Sequence, residues 1–408
     1  MVRLPRSPGR QALCRVVHSG PSKEQDGRHR RDTAILWAGC EKGRGVNPAQ
    51  PIDGETPFVQ LLTPEGELRE HADYPLSLTD AEYRELYRDL VLVRRIDAEA
   101  TALQRQGELG LWAQLLGQEA AQVGAGRALI DGDMAFPTYR EHGVAWCRGV
   151  DPLTLLGLFR GTTNGGWRPL DHGFALYTIV IGDQCPQGVG YAMGLQQDAV
   201  ENAVMVFFGD GASSQGDVNE AFIWASVFNA PVVFFCQNNQ WAISEPLERQ
   251  TKIPLYQRAL GFGFPGVRVD GNDVLASLAV SRATMQLARE GGGPSLVEAY
   301  TYRMGAHTTS DDPTRYRLDS DVEAWRLRDP LERMRSFLHK QQLVEAGFFD
   351  ELDAEAEGLA VRLRDGVRAL EDPDIGVMFE HAYSEAHPLV SEEQEQFTAY
   401  LSGFAEES

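Results

Sequence analysis

Two patterns of apolar and polar residues divide this chain of 408 residues. In the first, Leu86, Leu90, Val93 and Ile96 recur at helical spacing, while Glu82, Arg84, Glu85, Arg88 and Asp89 occupy the other side. With the capping residues Ser77-Leu78-Thr79-Asp80 in front, this predicts a helix over 75–108. A second helix is predicted over 118–129, closed by Asp131-Gly132. After about residue 170 the second pattern takes over. Short runs rich in Val, Ile and Phe, namely AVMVFF (203–208), PVVFFCQ (231–237), GVRVDG (266–271) and SLVEAY (295–300), alternate with helix-length segments. Strand-length runs separated by helices predict βαβ units, hence an α/β protein with a parallel sheet flanked by helices. From 320 onward the chain reads as helical and acidic, with DELDAEAEGLAVRLRD as an amphipathic helix.

Composition adds exclusions. Hydrophobic residues make up 43% and charged residues 24%, ordinary for a globular protein. No apolar run approaches the ~18–20 residues a membrane helix needs. The net charge of −21 argues against nucleic acid as a partner, because phosphate binding needs a basic surface. Residues 1–50 differ, with ten Lys or Arg against four Asp or Glu. They read as a basic, disordered tail without sustained apolar periodicity, and their Arg-rich start has the composition of a transit peptide interrupted by Pro5 and Pro8. Deleting 1–50 is expected to leave the melting temperature within a few degrees; a large drop in a thermal scan would show that the segment packs against the body. The domain expected next is 51–340, followed by a helical acidic extension, 341–408. Five scattered cysteines, an odd number without a Cys-x-x-Cys pair, fit a reducing compartment and supply neither a zinc site nor a disulfide framework.

The chemistry concentrates in 203–244. A buried strand ends at Gly209-Asp210-Gly211, a helix is predicted over 217–228, and a strand from Pro231 ends at Asn238-Asn239. In a right-handed βαβ unit both loops emerge at the carboxyl edge of the sheet, so Asp210 and Asn239 face each other. A carboxylate, an amide oxygen and a nearby backbone carbonyl form a hard-oxygen set suited to Mg²⁺ with phosphate co-ligands. Glycines beside Asp210 let backbone approach a ligand closely. By contrast, Gly261-Phe262-Gly263-Phe264-Pro265-Gly266 matches G-x-G-x-x-G only formally. It follows a polar helical stretch, and Pro265 obstructs the helix start a dinucleotide site requires.

GDG, about thirty residues, then NN resembles the magnesium-diphosphate motif of thiamine-diphosphate enzymes. QGDVNEAFIWAS, NNQWAIS, GQEAAQVGAGRAL (117–129), TYREHG (138–143) and TYRMGAHTTSDDPTRYR (301–317) are similar to the α subunit of the decarboxylating component of 2-oxo acid dehydrogenase complexes. The resemblance spans about 75–340. It implies the thiamine-diphosphate-binding fold with helical N- and C-terminal extensions. Asp210, Asn239 and the Trp241 carbonyl would hold Mg²⁺. Tyr139, Arg140 and His307 would contact the diphosphate, Gly211 and Ala212 would line it through backbone, and Ile181, with Ile179 close by, would hold the cofactor bent. His307 also matches a histidine that assists acyl transfer to the lipoyl group.

The resemblance further implies oxidative decarboxylation of a 2-oxo acid with acyl transfer to a lipoyl-bearing acyltransferase component. DDPTRYR looks most like branched-chain relatives, which take 3-methyl-2-oxobutanoate; LLGQEA looks more like pyruvate enzymes, and acetoin dehydrogenase shares the architecture. About 70 residues after 340 leave no room for a pyrimidine-binding domain, so a β subunit in an α₂β₂ tetramer is expected. The location implied is cytoplasmic in a bacterium or the mitochondrial matrix in a eukaryote, with no membrane partner. There are departures. Gln237 stands where some relatives carry a basic residue, Thr308 stands where phosphorylation-regulated relatives have Ser, and GGWRPLDHG leaves His172 an uncertain counterpart of a family histidine. Thr178, Asp183 and Gln184 lie where branched-chain relatives hold potassium, in a different local sequence.

Overall fold

A computed structural model describes residues 58–405. The expected basic tail, 1–50, lies outside the described residues. Five parallel strands form one sheet in the spatial order Met134–Phe136, Val204–Gly209, Val232–Asn238, Ser295–Tyr300, Gly266–Asp270. Residues 204–208 and 232–236 of the central strands are apolar throughout, as both of their faces are covered. Met205, Phe207, Val233, Phe235 and Val297 pack on one face, under the helices Asp80–Arg105, Glu119–Gly126 and Val274–Arg289. Val204, Val206, Phe208, Phe234 and Leu296 pack on the other, under Gln184–Gln197, Gly216–Phe228 and Arg258–Phe262.

The predicted strands are present with ends moved by one residue at most, and 295–300 is unchanged. The predicted helix at 75–108 is shorter. It begins at Asp80 because Thr79 forms a capping box with Glu82, which satisfies the first free N–H groups there. The helix predicted over 118–129 spans only Glu119–Gly126. Gly261 and Phe262 end a helix, Gly263 caps it in the left-handed region, and Gly266 opens a strand, so this glycine run forms no strand-to-helix phosphate loop. The amphipathic helix near the C-terminus spans Phe348–Arg368. Its Leu363 and Val367 pack with Ile96, Leu103 and Trp112.

Register sets up the site. Gly209 pairs with Gln237 and Asn238 pairs with Tyr300, so the residues following three adjacent strands leave the sheet side by side at its carboxyl edge. Among the described residues, no helix is long and apolar enough to cross a membrane.

Candidate active site

The segments that follow four neighbouring strands line one cavity of about 260 Å³. Thr138, Tyr139 and Arg140 follow the first strand, and Asp210, Gly211 and Ala212 the second. Asn239, Trp241 and Ile243 follow the third, and Arg303 and His307 come from the loop after Tyr300. Gln118, Glu141, Thr178, Ile181, Gln184 and Gln237 are also among the wall residues. Of the residues expected to hold the cofactor or the cation, Ile179 alone is not brought here. It is 65% exposed, one step along an extended loop from Thr178 and two from Ile181. His172 does not line the cavity either; its carbonyl accepts from Arg148 Nε at 2.8 Å. Asp183 accepts a hydrogen bond from Gln187, and Gln184 donates to the Phe207 carbonyl.

Asp210 opens a short 3-10 turn and is 1% exposed. Its Oδ2 accepts from Gln250 Nε2 at 2.7 Å, and burial pushes its carboxyl up to about 6. Asn239 Oδ1 accepts from the Trp241 N–H at 3.2 Å. The Trp241 carbonyl receives a long contact, 3.3 Å, from Arg303 Nη1. A methyl group on Gly211 would come within 2.7 Å of Ala242 Cβ, so the backbone passes there only because residue 211 has no side chain.

Two guanidiniums face this carboxylate and spend their hydrogen bonds on neutral oxygens. Arg140 donates to the carbonyls of Gln114 and His307, the latter at 2.8 Å. Arg303 donates to Trp241 and Ile243 carbonyls and to the Tyr316 hydroxyl. Burial, and then the charge of Arg140, push Arg303 down to about 10. Arg140 and Arg303 share the wall with two buried acids, Asp210 and Glu141, and only Asp210 lies outside the Thr138–Gln237 hydrogen bonds that hold Glu141, so the guanidiniums can pair with an anion. Arg303, four residues before His307, was not singled out in the sequence. Its only signal was its place three residues beyond a strand end.

Both guanidiniums also approach His307 Nδ1, at 3.3 and 3.4 Å. Guanidinium N–H groups only donate, so Nδ1 accepts and the ring proton sits on Nε2. Burial, then Arg140 and Arg303, lower the imidazole to about 4. Its contribution to folding is therefore present above about pH 6.5 and lost as the pH falls through about 4. By NMR the ligand-free ring is expected to titrate near 4; a midpoint at its ordinary value would show that the guanidiniums do not face it.

Gln237 donates to Glu141 and accepts from Gln122 Nε2 at 3.0 Å, so its amide is taken up inside the wall. A strap, 109–117, ties the two sides of the cavity together. Its Ala113 and Gln114 carbonyls hold His142 and Arg140, and its Trp112 and Leu116 carbonyls accept from Thr309 and Met304 N–H. One buried carboxylate oxygen anchors the strap to the first helix. Asp97 Oδ1 accepts from Trp112 Nε1 at 2.7 Å and from the Leu115 N–H at 3.0 Å. Asp97→Ala would strand two buried donors at ~1–3 kcal/mol each; burial pushes this carboxyl up to about 6, so the loss is fully present below about pH 3.8 and partly offset at neutral pH. Urea unfolding reads this directly; an unchanged midpoint would mean that the strap does not depend on Asp97.

Residues 87–360 match the family model described as "Dehydrogenase E1 component". The chain belongs to this family, whose members are thiamine-diphosphate-dependent enzymes. It is 44% identical over 345 residues to the 3-methyl-2-oxobutanoate dehydrogenase subunit alpha of Mycobacterium tuberculosis, covering 84% of this chain and 94% of that one. It is 35% identical over 326 residues to the pyruvate dehydrogenase E1 component subunit alpha of Acholeplasma laidlawii, covering 78% and 93%. With the subunit of the same name from Bacillus subtilis the identity is 39% over 287 residues, covering 70% and 77%.

The cavity fits the polar end of such a cofactor. Its two guanidiniums suit a diphosphate, and a carboxylate beside an amide oxygen would suit a divalent cation. Gly211 lines the cavity with backbone alone, and the buried Gln118 Nε2 has no hydrogen-bond acceptor among the described residues.

Proposed function

We propose that this chain is the α subunit of a 2-oxo acid dehydrogenase E1 component that binds thiamine diphosphate with Mg²⁺, pairs with a β subunit, and passes an acyl group to the lipoyl group of an acyltransferase component. The observation that carries this reading is the convergence of Asp210, Asn239, Arg140, Arg303 and His307 on one cavity. In it, Asp210, the Asn239 amide oxygen and the Trp241 carbonyl hold the cation. Arg140, Tyr139 and His307 bind the diphosphate, with Gly211 and Ala212 against it through backbone. Ile181, in the cavity wall, would pack against the cofactor. Thiamine diphosphate, when bound, supplies the carbon nucleophile and the electron sink for decarboxylation. His307 offers its Nε2 proton to an oxygen developing charge during acyl transfer.

A branched-chain acid is the substrate the reading favours, on the 44% identity with a 3-methyl-2-oxobutanoate dehydrogenase subunit. The pyruvate dehydrogenase relatives at 35% and 39% support pyruvate as the second reading. Co-expression with the β partner and assay of CO₂ release from both acids decides between them. Faster turnover of 3-methyl-2-oxobutanoate is expected; a clear preference for pyruvate would reverse the assignment.

A further inference from the structure

Gln118 caps the buried helix Glu119–Gly126 without using its side chain for the cap. That side chain is wholly buried yet belongs to the cavity wall. It meets Asn239 there, with 3.0 Å between Asn239 Nδ2 and Gln118 Oε1.

The two ends of a carboxamide look alike, so which end faces which partner has to come from the hydrogen bonds. Here one backbone group decides. The Trp241 N–H can only donate, and it lies 3.2 Å from one terminal atom of Asn239. That atom is therefore oxygen, and the other is the NH₂ group. An NH₂ group needs an acceptor, so the Gln118 atom it meets is the carbonyl oxygen. The Gln118 NH₂ is left at the far end. It is buried, and no atom among the described residues accepts from it. A buried donor without an acceptor is rare and costly, and calls for a partner from outside the chain.

We infer that Gln118 is a further binding residue of the cation–diphosphate site, locking Asn239 with its oxygen toward the cation and donating its own NH₂ to a diphosphate oxygen. The first role follows from chemistry: an amide oxygen binds Mg²⁺ and an amide nitrogen does not. The second follows from Arg140 and Arg303, whose guanidiniums line the same cavity and draw an anionic acceptor to the unspent donor. The inference rests on the proposed thiamine diphosphate site.

The test uses the assembly of this chain with its β partner. Calorimetry measures thiamine diphosphate affinity at saturating Mg²⁺. Manganese spin resonance measures metal affinity at saturating cofactor. Gln118→Glu keeps an acceptor for Asn239 and removes the donor; it should weaken the cofactor roughly 10- to 100-fold, the effect of one hydrogen bond to a charged group, with metal binding no weaker. Gln118→Met, similar in length and apolar, removes both functions and should weaken cofactor and metal alike. Melting temperatures without ligand should stay within about 2 °C of the unaltered assembly.

Cofactor and metal affinities unchanged in both variants would overturn the inference. So would a fall of more than about 5 °C in both, which would mark Gln118 as core packing only. Asp210→Ala in the same assembly separates the two levels. If it loses cofactor while the Gln118 variants bind normally, the site stands and the role of Gln118 falls. If it binds normally, the site itself is wrong.

Discussion

Asp210→Ala is expected to abolish Mg²⁺-dependent thiamine diphosphate binding and leave the sheet intact. Asp210 is the sole carboxylate of the cavity wall free of the Gln237–Thr138 network, since Glu141, the other acid there, is tied to both. Its carboxylate is buried with a single side-chain donor, Gln250, so ionisation is poorly compensated without a cation. The sign of the stability effect follows. A carboxyl raised to about 6 contributes stability that is present below about pH 3.8 and lost as the pH rises through about 6. At neutral pH the ionised group works against the fold, so alanine should not lower the melting temperature. Calorimetry with the β chain present checks the first claim and a thermal scan the second. Normal cofactor affinity in the variant would refute the assignment of Asp210 to the cation.

The second large effect concerns the chain by itself. Purified without a partner, it is expected to bind thiamine diphosphate weakly and to release no CO₂ from any 2-oxo acid. In the proposed site the cavity takes only the diphosphate end of the cofactor. Thiamine enzymes also need a carboxylate beside the aminopyrimidine, and Asp210 and Glu141 are both committed elsewhere. The surface around the opening suits a partner. Ile179, Val180 and Ile181 stand on the adjoining loop, and Ile223, Trp224, Val227 and Phe228 line the outer side of one helix, all more than a third exposed. An obligate interface of above ~2,000 Å², apolar at its centre, would cover such residues. Adding the β chain should restore about one active site per αβ pair. Appreciable decarboxylation by the α chain, with β absent by mass spectrometry, would overturn the two-chain reading.

Much of the site was legible because its core is local. Residues 204–208 and 232–236 are covered on both faces and read as unbroken apolar runs. The turn residues Gly209-Asp210 and Asn238-Asn239 mark where each stops. The handedness of a βαβ unit then puts Asp210 and Asn239 on one edge without knowledge of any other contact. The strand Met134–Phe136 was not legible. Three residues carry no periodicity, and this one exists because Val204–Val206 offers it a ladder.

Sequence by itself determined the α/β class, the carboxyl-edge pairing of Asp210 with Asn239, and the family resemblance, since each rests on residue type and on spacing within one supersecondary unit. Tertiary structure alone decided how the rest of the wall is satisfied. Asp97 reads as one more polar residue on an amphipathic helix; its role comes from Trp112 and Leu115, whose N–H groups reach it only once the strap folds back. Arg303 reads as a charge in a loop until the fold buries it beside Arg140 in the same cavity wall. Gln118 reads as a helix start, and its unspent donor appears only when Asn239, 121 residues away, takes its carbonyl. Hydrogen-bond satisfaction is a property of the whole packed neighbourhood, and no local pattern of residues encodes which donor is left over.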